Sequence, residues 1–527
     1  MSSISNILEE VYGRVLSQVD RDPNSVTYGS CDRNYWMYKL HDFSSGILQQ
    51  TSLFFAELTL IEDPEARLSF ANSSSKTYWT QIGKAINRFT LQKMSKNGTV
   101  DEYFPGESSY VASSFVGYSL IKSSLILNDW DVLNSPKLRK LFDSFCSKQE
   151  SPAANQDMGC AAFIHLYAKI HNYKRDTANA TCNKLVSRNT SSGQFREYGG
   201  FDYGYSTVSL NFLAYLHEDG YEAAKPKLEN LFETIQKLTD FESKEFGGEI
   251  GSRSTSYLLP FGIATASRLM KKPVESKWIV WLQSTIRKLD DRYLIHYTAP
   301  SLASFERLLS QEKLKIGSTL STSLHPTSGT TTFDDIYRVF GANFSFTINI
   351  KKGGVYHFRG DNKEFADNGY VLKESPGSNQ KYYTNLVTEF SNHKIEEANG
   401  VIRIKCENTF SKFKTLTPSP LKFVVLRALT PLGPLLNILF KRILIKRPKV
   451  LRDTVFKREV LIIPGNSITI TDSFFNLKDH FIVKKSSVYT TRTVPSSKFY
   501  HKLDSNLIDC NPINTMEPQI TTTSIKS

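Results

Sequence analysis

The sequence predicts two domains of different class: an all-α domain over residues 1–320, then an antiparallel β-sandwich over 321–527. Three observations carry this. Apolar residues recur at spacings of three and four through the first part, as in Ala224, Leu228, Leu231, Phe232 and Ile235. After about Ser318 the period becomes two, as in Asn343-Phe-Ser-Phe-Thr-Ile-Asn-Ile350. The helical part also repeats itself. Gly98-Thr-Val-Asp-Glu-Tyr103 and Gly193-Gln-Phe-Arg-Glu-Tyr198 share Gly, Glu and Tyr, each ahead of a helix, and Gly247-Gly-Glu-Ile-Gly-Ser-Arg253 leads into a third. A helical array whose equivalent loops return to one face is a toroid or a solenoid, and its loops converge on a cleft.

Helical periodicity places segments near 45–61, 78–95, 110–128, 135–148, 156–172, 206–217, 224–238, 256–270 and 276–290. Strands are expected at 343–350, 401–406, 460–463, 467–471 and 481–483. The polar, Thr-rich last dozen residues read as frayed. Residues 421–447 fit neither pattern: Leu421 to Arg447 is strongly apolar between basic flanks, but its uncharged centre, Ala428–Phe440, is short and holds Pro431 and Pro434. A span needs about 20 apolar residues, so this stretch is read either as an interfacial segment on an acidic leaflet or as an insertion packing on protein.

The 527 residues are 40% hydrophobic and 12% aromatic, enough for two sizeable cores. A net charge of +13 favours an anionic partner: nucleic acid, acidic lipid or acidic polysaccharide. Dispersed basic residues and the lack of a reader motif argue against nucleic acid. The six cysteines form no CxxC pair, so neither a zinc frame nor a disulfide scaffold is expected. The amino terminus shows no basic region followed by an apolar run, and a cytoplasmic protein, with a peripheral contact at the inner face of the membrane through 421–447, is the expectation.

Two loops concentrate chemistry. Cys31-Asp-Arg-Asn-Tyr-Trp-Met-Tyr-Lys-Leu-His-Asp-Phe43 sets Arg33, Tyr35 and His41 among further aromatic and charged residues. It suits a sugar- or phosphate-lined surface, or equally a solvated loop anchored by Trp36. In Gly193–Leu216 a glycine-rich loop runs into a helix that Ser206 or Thr207 can cap, which puts Tyr205 at the helix mouth, where negative charge is favoured. Composition alone makes Tyr205 a packing residue first.

With these residues in view, the chain resembles the heparinase II/III-like polysaccharide lyases, which join an incomplete (α/α) toroid to an antiparallel β-sandwich. Asp202-Tyr-Gly-Tyr-Ser-Thr-Val-Ser-Leu-Asn-Phe-Leu-Ala-Tyr-Leu216 is similar to the family segment in which a tyrosine begins the helix, and so implies Tyr205 as the catalytic tyrosine. Ala154-Asn155-Gln156-Asp157-Met158 opens a helix as the family's Asn-His motif does; Asn155 matches the asparagine that binds the substrate carboxylate, and Gln156 replaces the histidine. His357-Phe-Arg-Gly-Asp361 has the spacing of the family's His-x-His-x-Asp, with Arg359 in place of the second histidine, which argues against a metal site of the family's kind. Asp101–Glu107 and the loop around Arg33 and Tyr35 look like a subgroup associated with surface-polysaccharide biosynthesis.

The chemistry implied is β-elimination at a uronic acid, without a cofactor. Asn155 and Gln156 neutralise the substrate carboxylate by hydrogen bonds, Arg253 more strongly by charge. Tyr205 takes the C5 proton and returns one to the leaving oxygen, and His357 assists from the β-domain. Arg33, Tyr35, His41, Glu102, Tyr198, Glu249 and Arg359 are candidates for binding an anionic polysaccharide. Three alternatives share the residues. A C5-epimerase would return the proton without cleavage. A glycoside hydrolase would use Glu102, Glu197 or Glu249. A glycan-binding scaffold at the membrane would use none of them catalytically.

Overall fold

The structure, a computed structural model, describes residues 3–526 except 148–150, 152, 189–194, 198, 240–249, 256, 318–328, 334, 342–343, 361–362, 376–377, 388–390, 413–418, 430–448, 464–466, 479–480 and 487–518. Among the described residues up to 310, twelve helices of nine or more residues alternate between two environments. They are α1 (Ser3–Leu16), α2 (Thr51–Thr59), α3 (Ser75–Lys93), α4 (Tyr110–Ile126), α5 (Pro136–Ser147), α6 (Ala154–His171), α7 (Arg175–Val186), α8 (Tyr203–Glu218), α9 (Ala224–Leu238), α10 (Pro260–Leu269), α11 (Ser276–Lys288) and α12 (Ala299–Ser310).

Odd-numbered helices bury one stripe. In α5 it is Leu138, Leu141, Phe142 and Phe145, spaced three, one and three, as an amphipathic outer helix requires. Even-numbered helices are buried nearly all round: α4 buries almost every residue from Ala112 to Ser124 and α8 every residue from Tyr203 to Leu216. Small side chains let these inner helices approach. A Cβ at Gly159 of α6 would stand 2.3 Å from the Phe115 ring of α4. The inner helices follow one another round a ring, α2–α4–α6–α8–α10–α12, and α12 packs back on α2. This is the toroid class the sequence predicts. Helices α1, α7 and α12 were not among the periodic segments, and α8 begins at Tyr203, ahead of the expected Ser206.

One end of the ring is closed by charge. Arg307 near the end of α12 bonds Glu57 of α2 at 2.5 Å and both oxygens of Glu218 of α8 at 2.9 Å, while Lys122 of α4 pairs with Asp219. These residues sit at the carboxyl ends of inner helices, where cations are favoured. The opposite end, at the amino termini of α2, α4, α6, α8, α10 and α12, carries the described parts of the repeated loops, 98–103, 195–197 and 250–253.

The β-domain is antiparallel. A five-stranded meander runs β1 (Gly329–Phe333), β2 (Ile336–Phe340), β3 (Ser345–Asn349), β4 (Val355–Gly360) and β5 (Lys363–Asp367). An eight-stranded sheet follows: β6 (Tyr370–Lys373), β7 (Lys381–Tyr383), β8 (Asn392–Ala398), β9 (Val401–Lys412), β10 (Lys449–Ile463), β11 (Ser467–Phe475), β12 (Ile482–Lys485) and β13 (Gln519–Lys526), in the order β12-β6-β7-β9-β10-β11-β13 with β8 on β9. The two sheets share a core in which Tyr337, Val339, Phe346, Ile348, Tyr356 and Phe358 meet Ile404, Val460, Ile462 and Ile470. The carboxyl-terminal residues expected to fray instead form β13, paired with β11 from Ser467↔Lys526 to Phe474↔Gln519. The edge of β11 offers backbone partners that a polar Thr-rich strand satisfies without needing an apolar side chain.

Alternation fixes the other face of the meander. Tyr356 and Phe358 enter the sandwich core, while Val355 joins the core of the helical domain, so His357 and Arg359 lie on Val355's side. The same side carries contacts to the toroid. Arg338 donates to the carbonyls of Lys237 and Thr239 at 3.0 Å, and Asn349 to that of Ile250 at 2.8 Å. Buried Lys352 reaches the Gly251 carbonyl at 2.6 Å and Ser254 Oγ at 2.9 Å. The sheet is thereby pressed on the loop that carries Arg253.

Of residues 421–447, the helix Pro420–Leu429 is described and the remainder lies outside the described residues. It exposes Leu421, Phe423, Val424 and Val425, and Arg427 bonds Asp42 of the helical domain at 2.7 Å. No helix of the described residues is long and apolar enough to cross a membrane.

Candidate functional site

Several of the predicted residues lie at the amino-terminal end of the ring, in two places. The first is a buried hydrogen-bond network. Asp202 caps α8: its Oδ1 accepts from the Tyr205 N–H at 3.4 Å, and its Oδ2 accepts from the Arg253 N–H at 2.8 Å. Thr255 adds a hydroxyl donor. The cap is thus Asp202, since α8 starts three residues earlier than the apolar period shows and Ser206 and Thr207 lie inside it. Burial pushes the Asp202 carboxyl up, and these donors pull it back.

Glu197 stands beside it, fully buried. Its Oε1 accepts from the Asn155 N–H and from Ser209 Oγ, both at 2.9 Å, and its Oε2 accepts from Asn155 Nδ2 at 2.6 Å. No side chain local to α6 caps that helix; Glu197, forty-two residues further along the chain, does so. Burial drives the Glu197 carboxyl well above the ordinary carboxylate range, despite the donors from Ser209 and Asn155. Its carbonyl accepts from Ser252 Oγ at 2.6 Å, which ties the 250–255 loop to the same point. Asn155 is therefore engaged with protein and 1% exposed. Gln156 next to it accepts from Ser151 Oγ at 2.5 Å. Both Glu197 oxygens are occupied in holding α6 and α8 in register, so this carboxylate is placed to organise the site and not to reach a sugar.

Tyr205 itself is 6% exposed and meets Tyr257 edge-on, with ring centroids 6.0 Å apart. Tyr257 lies 5.5 Å from Tyr293, and the adjacent Arg292 lines the second place. This is a cavity of about 610 Å³ bounded by Gln18, Asp32, Arg33, His41, Glu102 and Arg292, among others. It brings together three of the predicted binding residues: Arg33, His41 and Glu102. Glu102 binds Arg292, whose guanidinium stands 5.1 Å over the Tyr103 ring. Tyr35 faces a smaller adjoining cavity of about 150 Å³ and bonds Lys93 at 2.9 Å.

His357 and Arg359 occupy successive inward positions on β4. The row across the sheet at His357 reads Arg338, Thr347, His357, Ala366, three polar side chains ending in an alanine, on the side from which Arg338 reaches the toroid. Tyr198, Glu249 and Asp361 lie outside the described residues, and among those described no group of three or more metal-ligating side chains converges.

Sequence reading missed Asp202, Tyr257 and Arg292 as members of the site. For Arg292 the signal is the polar knot Asp290-Asp-Arg-Tyr293 just ahead of a buried helix; Glu197 and Asn155 are too far apart in sequence for their pairing to be visible.

No family model matches this chain, and no curated protein matches it. Among solved structures it is similar to a Paenibacillus xanthan lyase, at 10% identity and a TM-score of 0.48, covering 92% of this chain and 46% of that one. It is also similar to a chondroitin AC lyase of Streptomyces coelicolor solved with chondroitin sulphate, at 9% identity and a TM-score of 0.49, covering 91% and 68%. A heparan sulfate lyase of Pedobacter heparinus follows at 10% identity and a TM-score of 0.34, covering 79% and 62%. The chain thus spans less than half the length of the first of these.

Proposed function

We propose that the protein cleaves an acidic, uronate-containing polysaccharide by β-elimination at the amino-terminal end of the ring. One observation carries the reading: a single buried carboxylate, Asp202, holds the backbone of both Tyr205 and Arg253. The backbones of a phenol-bearing and a guanidinium-bearing residue are thereby tied to one side chain at the start of α8, where the partial positive charge of the helix favours an anionic substrate.

In this reading Arg253 pairs with the C5 carboxylate, which acidifies the C5 proton. Tyr205, as phenolate, takes that proton; the freed electron pair forms the C4–C5 double bond, the C4–O bond breaks, and Tyr205 returns the proton to the leaving oxygen. Asn155 acts as a positioning residue through Glu197. His357, on the same side of β4 as Val355, assists proton movement on the leaving-group side. The test is ultraviolet absorbance of the unsaturated product across a panel of uronate polymers. Absorbance rising with at least one polymer is expected; none with any polymer, from folded protein, would overturn the reading.

A further inference from the structure

The 610 Å³ cavity contains three carboxylates, and each is satisfied from within the protein. Asp32 accepts from the N–H groups of Asn34 at 3.1 Å and Ser45 at 2.8 Å. Asp291 is held by Arg14 at 2.7 Å and Gln18 at 3.1 Å. Glu102 is held by Arg292 and by Ser109 Oγ at 3.0 Å. The cations are not equally satisfied. Arg292 has Glu102, but Arg33 donates to Tyr38 Oη at 2.8 Å and to Met37 Sδ at 3.4 Å, and among the described residues no carboxylate pairs with it. Its Nε is buried without a hydrogen-bond partner. A guanidinium on a cavity wall with donors to spare is a site built for an anion, because a bidentate oxyanion satisfies its fork geometry.

The rim adds sugar-binding surface. Tyr38 is 51% exposed and Tyr103 66%, and each has a guanidinium beside its ring: Arg33 at 5.2 Å from Tyr38, Arg292 at 5.1 Å from Tyr103. An exposed ring held in one orientation by a cation is a platform for a pyranose face at small entropic cost. The volume lies in the range of small-molecule sites. The ring path through Tyr293 and Tyr257 separates it from Tyr205.

We infer that this cavity is a distal subsite for an anionic sugar unit of the polysaccharide, with Arg33 binding its carboxylate or sulfate ester and Tyr38 and Tyr103 cradling the ring. The inference rests on the proposed function for its substrate class. It assigns chain-length dependence to this cavity: an oligosaccharide long enough to engage Arg33 while another of its units stands at Tyr205 gains affinity, and a disaccharide does not.

The test is calorimetric titration of the full chain with uronate di- and hexasaccharides, and with a sulfated neutral hexasaccharide. Wild type is compared with Arg33→Ala, Arg33→Lys and Tyr205→Phe, with thermal unfolding to confirm that each variant is folded. Arg33→Ala should weaken the hexasaccharide ten- to a hundredfold and leave the disaccharide unchanged, with Arg33→Lys between. Which hexasaccharide loses most identifies carboxylate or sulfate as the ligand. Hexasaccharide affinity equal in wild type and Arg33→Ala overturns the subsite, whatever the turnover. Tight, Arg33-dependent binding without any elimination upholds the subsite and overturns the lyase reading instead.

Discussion

Removing the Glu197 side chain tests how the first half of the site is built. The carboxylate accepts three hydrogen bonds at a fully buried position, two of them from Asn155. In Glu197→Ala three donors lose their partner, each worth about 1–3 kcal/mol as an unsatisfied buried group. Relief from burying the carboxyl offsets part of this, so a net loss of about 3–5 kcal/mol is expected. Glu197→Gln keeps the volume but, against the protonated carboxyl present at acid pH, sets an additional N–H where the acid has a lone pair, for a loss of about 1–2 kcal/mol there. The two variants also differ in pH dependence. Burial raises the Glu197 carboxyl above its unfolded value of 4.5, so the folded state holds the proton longer than the unfolded state. That contribution is full below 4.5 and is lost as pH rises towards the folded value. The gap between wild type and Glu197→Gln should therefore narrow from pH 5 upwards. Urea unfolding of the three proteins at several pH values measures both effects. A Glu197→Ala protein within 1 kcal/mol of wild type, or a Gln gap that widens with pH, would refute the reasoning.

Other perturbations follow from the same contacts. Arg458, fully buried, makes two bonds of 2.7 Å to Asp472 and one of 3.0 Å to Asp367, which also binds Lys485 at 2.5 Å. Arg458→Ala strands these carboxylates and should cost about 3–5 kcal/mol by denaturant unfolding. Burial alone would raise the Asp367 carboxyl, but Arg458 and Lys485 hold it well below its ordinary value. Its contribution is therefore present above the ordinary value of 3.8 and lost as pH falls below it, which acid unfolding of wild type against Asp367→Asn should show as a gap closing towards low pH. Lys352→Met removes the ammonium held by Gly251 and Ser254. The 250–255 loop should then show faster amide exchange and substrate turnover should drop several-fold, while the sandwich core keeps its protection.

The two-domain plan was legible because period 3.6 and period 2 fill separate halves of the chain. The helices that the apolar period does not show are of both kinds: inner α12 buries nearly every face and so has no stripe, while outer α1 and α7 lie outside the expected segments. The repeated Gly-Glu-Tyr loops did mark one face of the ring, since both precede inner helices, α4 and α8. What the sequence could not reveal is long-range satisfaction. Asn155 looks like a free donor at a helix mouth until Glu197 is seen on it, and Arg33 looks like one charge among many until the carboxylates around it are found occupied. Strand β13 was misread because a Thr-rich end has no apolar face; its partner edge on β11, some fifty residues back, is what orders it.

The central claim is that Tyr205 moves the proton in an elimination at the amino-terminal end of the ring. Incubating wild type and Tyr205→Phe with an acidic oligosaccharide in deuterated water, and following unsaturation and deuterium at C5 together, tests it most directly. Unsaturated product from wild type, and at least a hundredfold less from a Tyr205→Phe protein that still binds the oligosaccharide, is the predicted result. Equal rates from the two proteins, or deuterium entering C5 without any double bond, would contradict it.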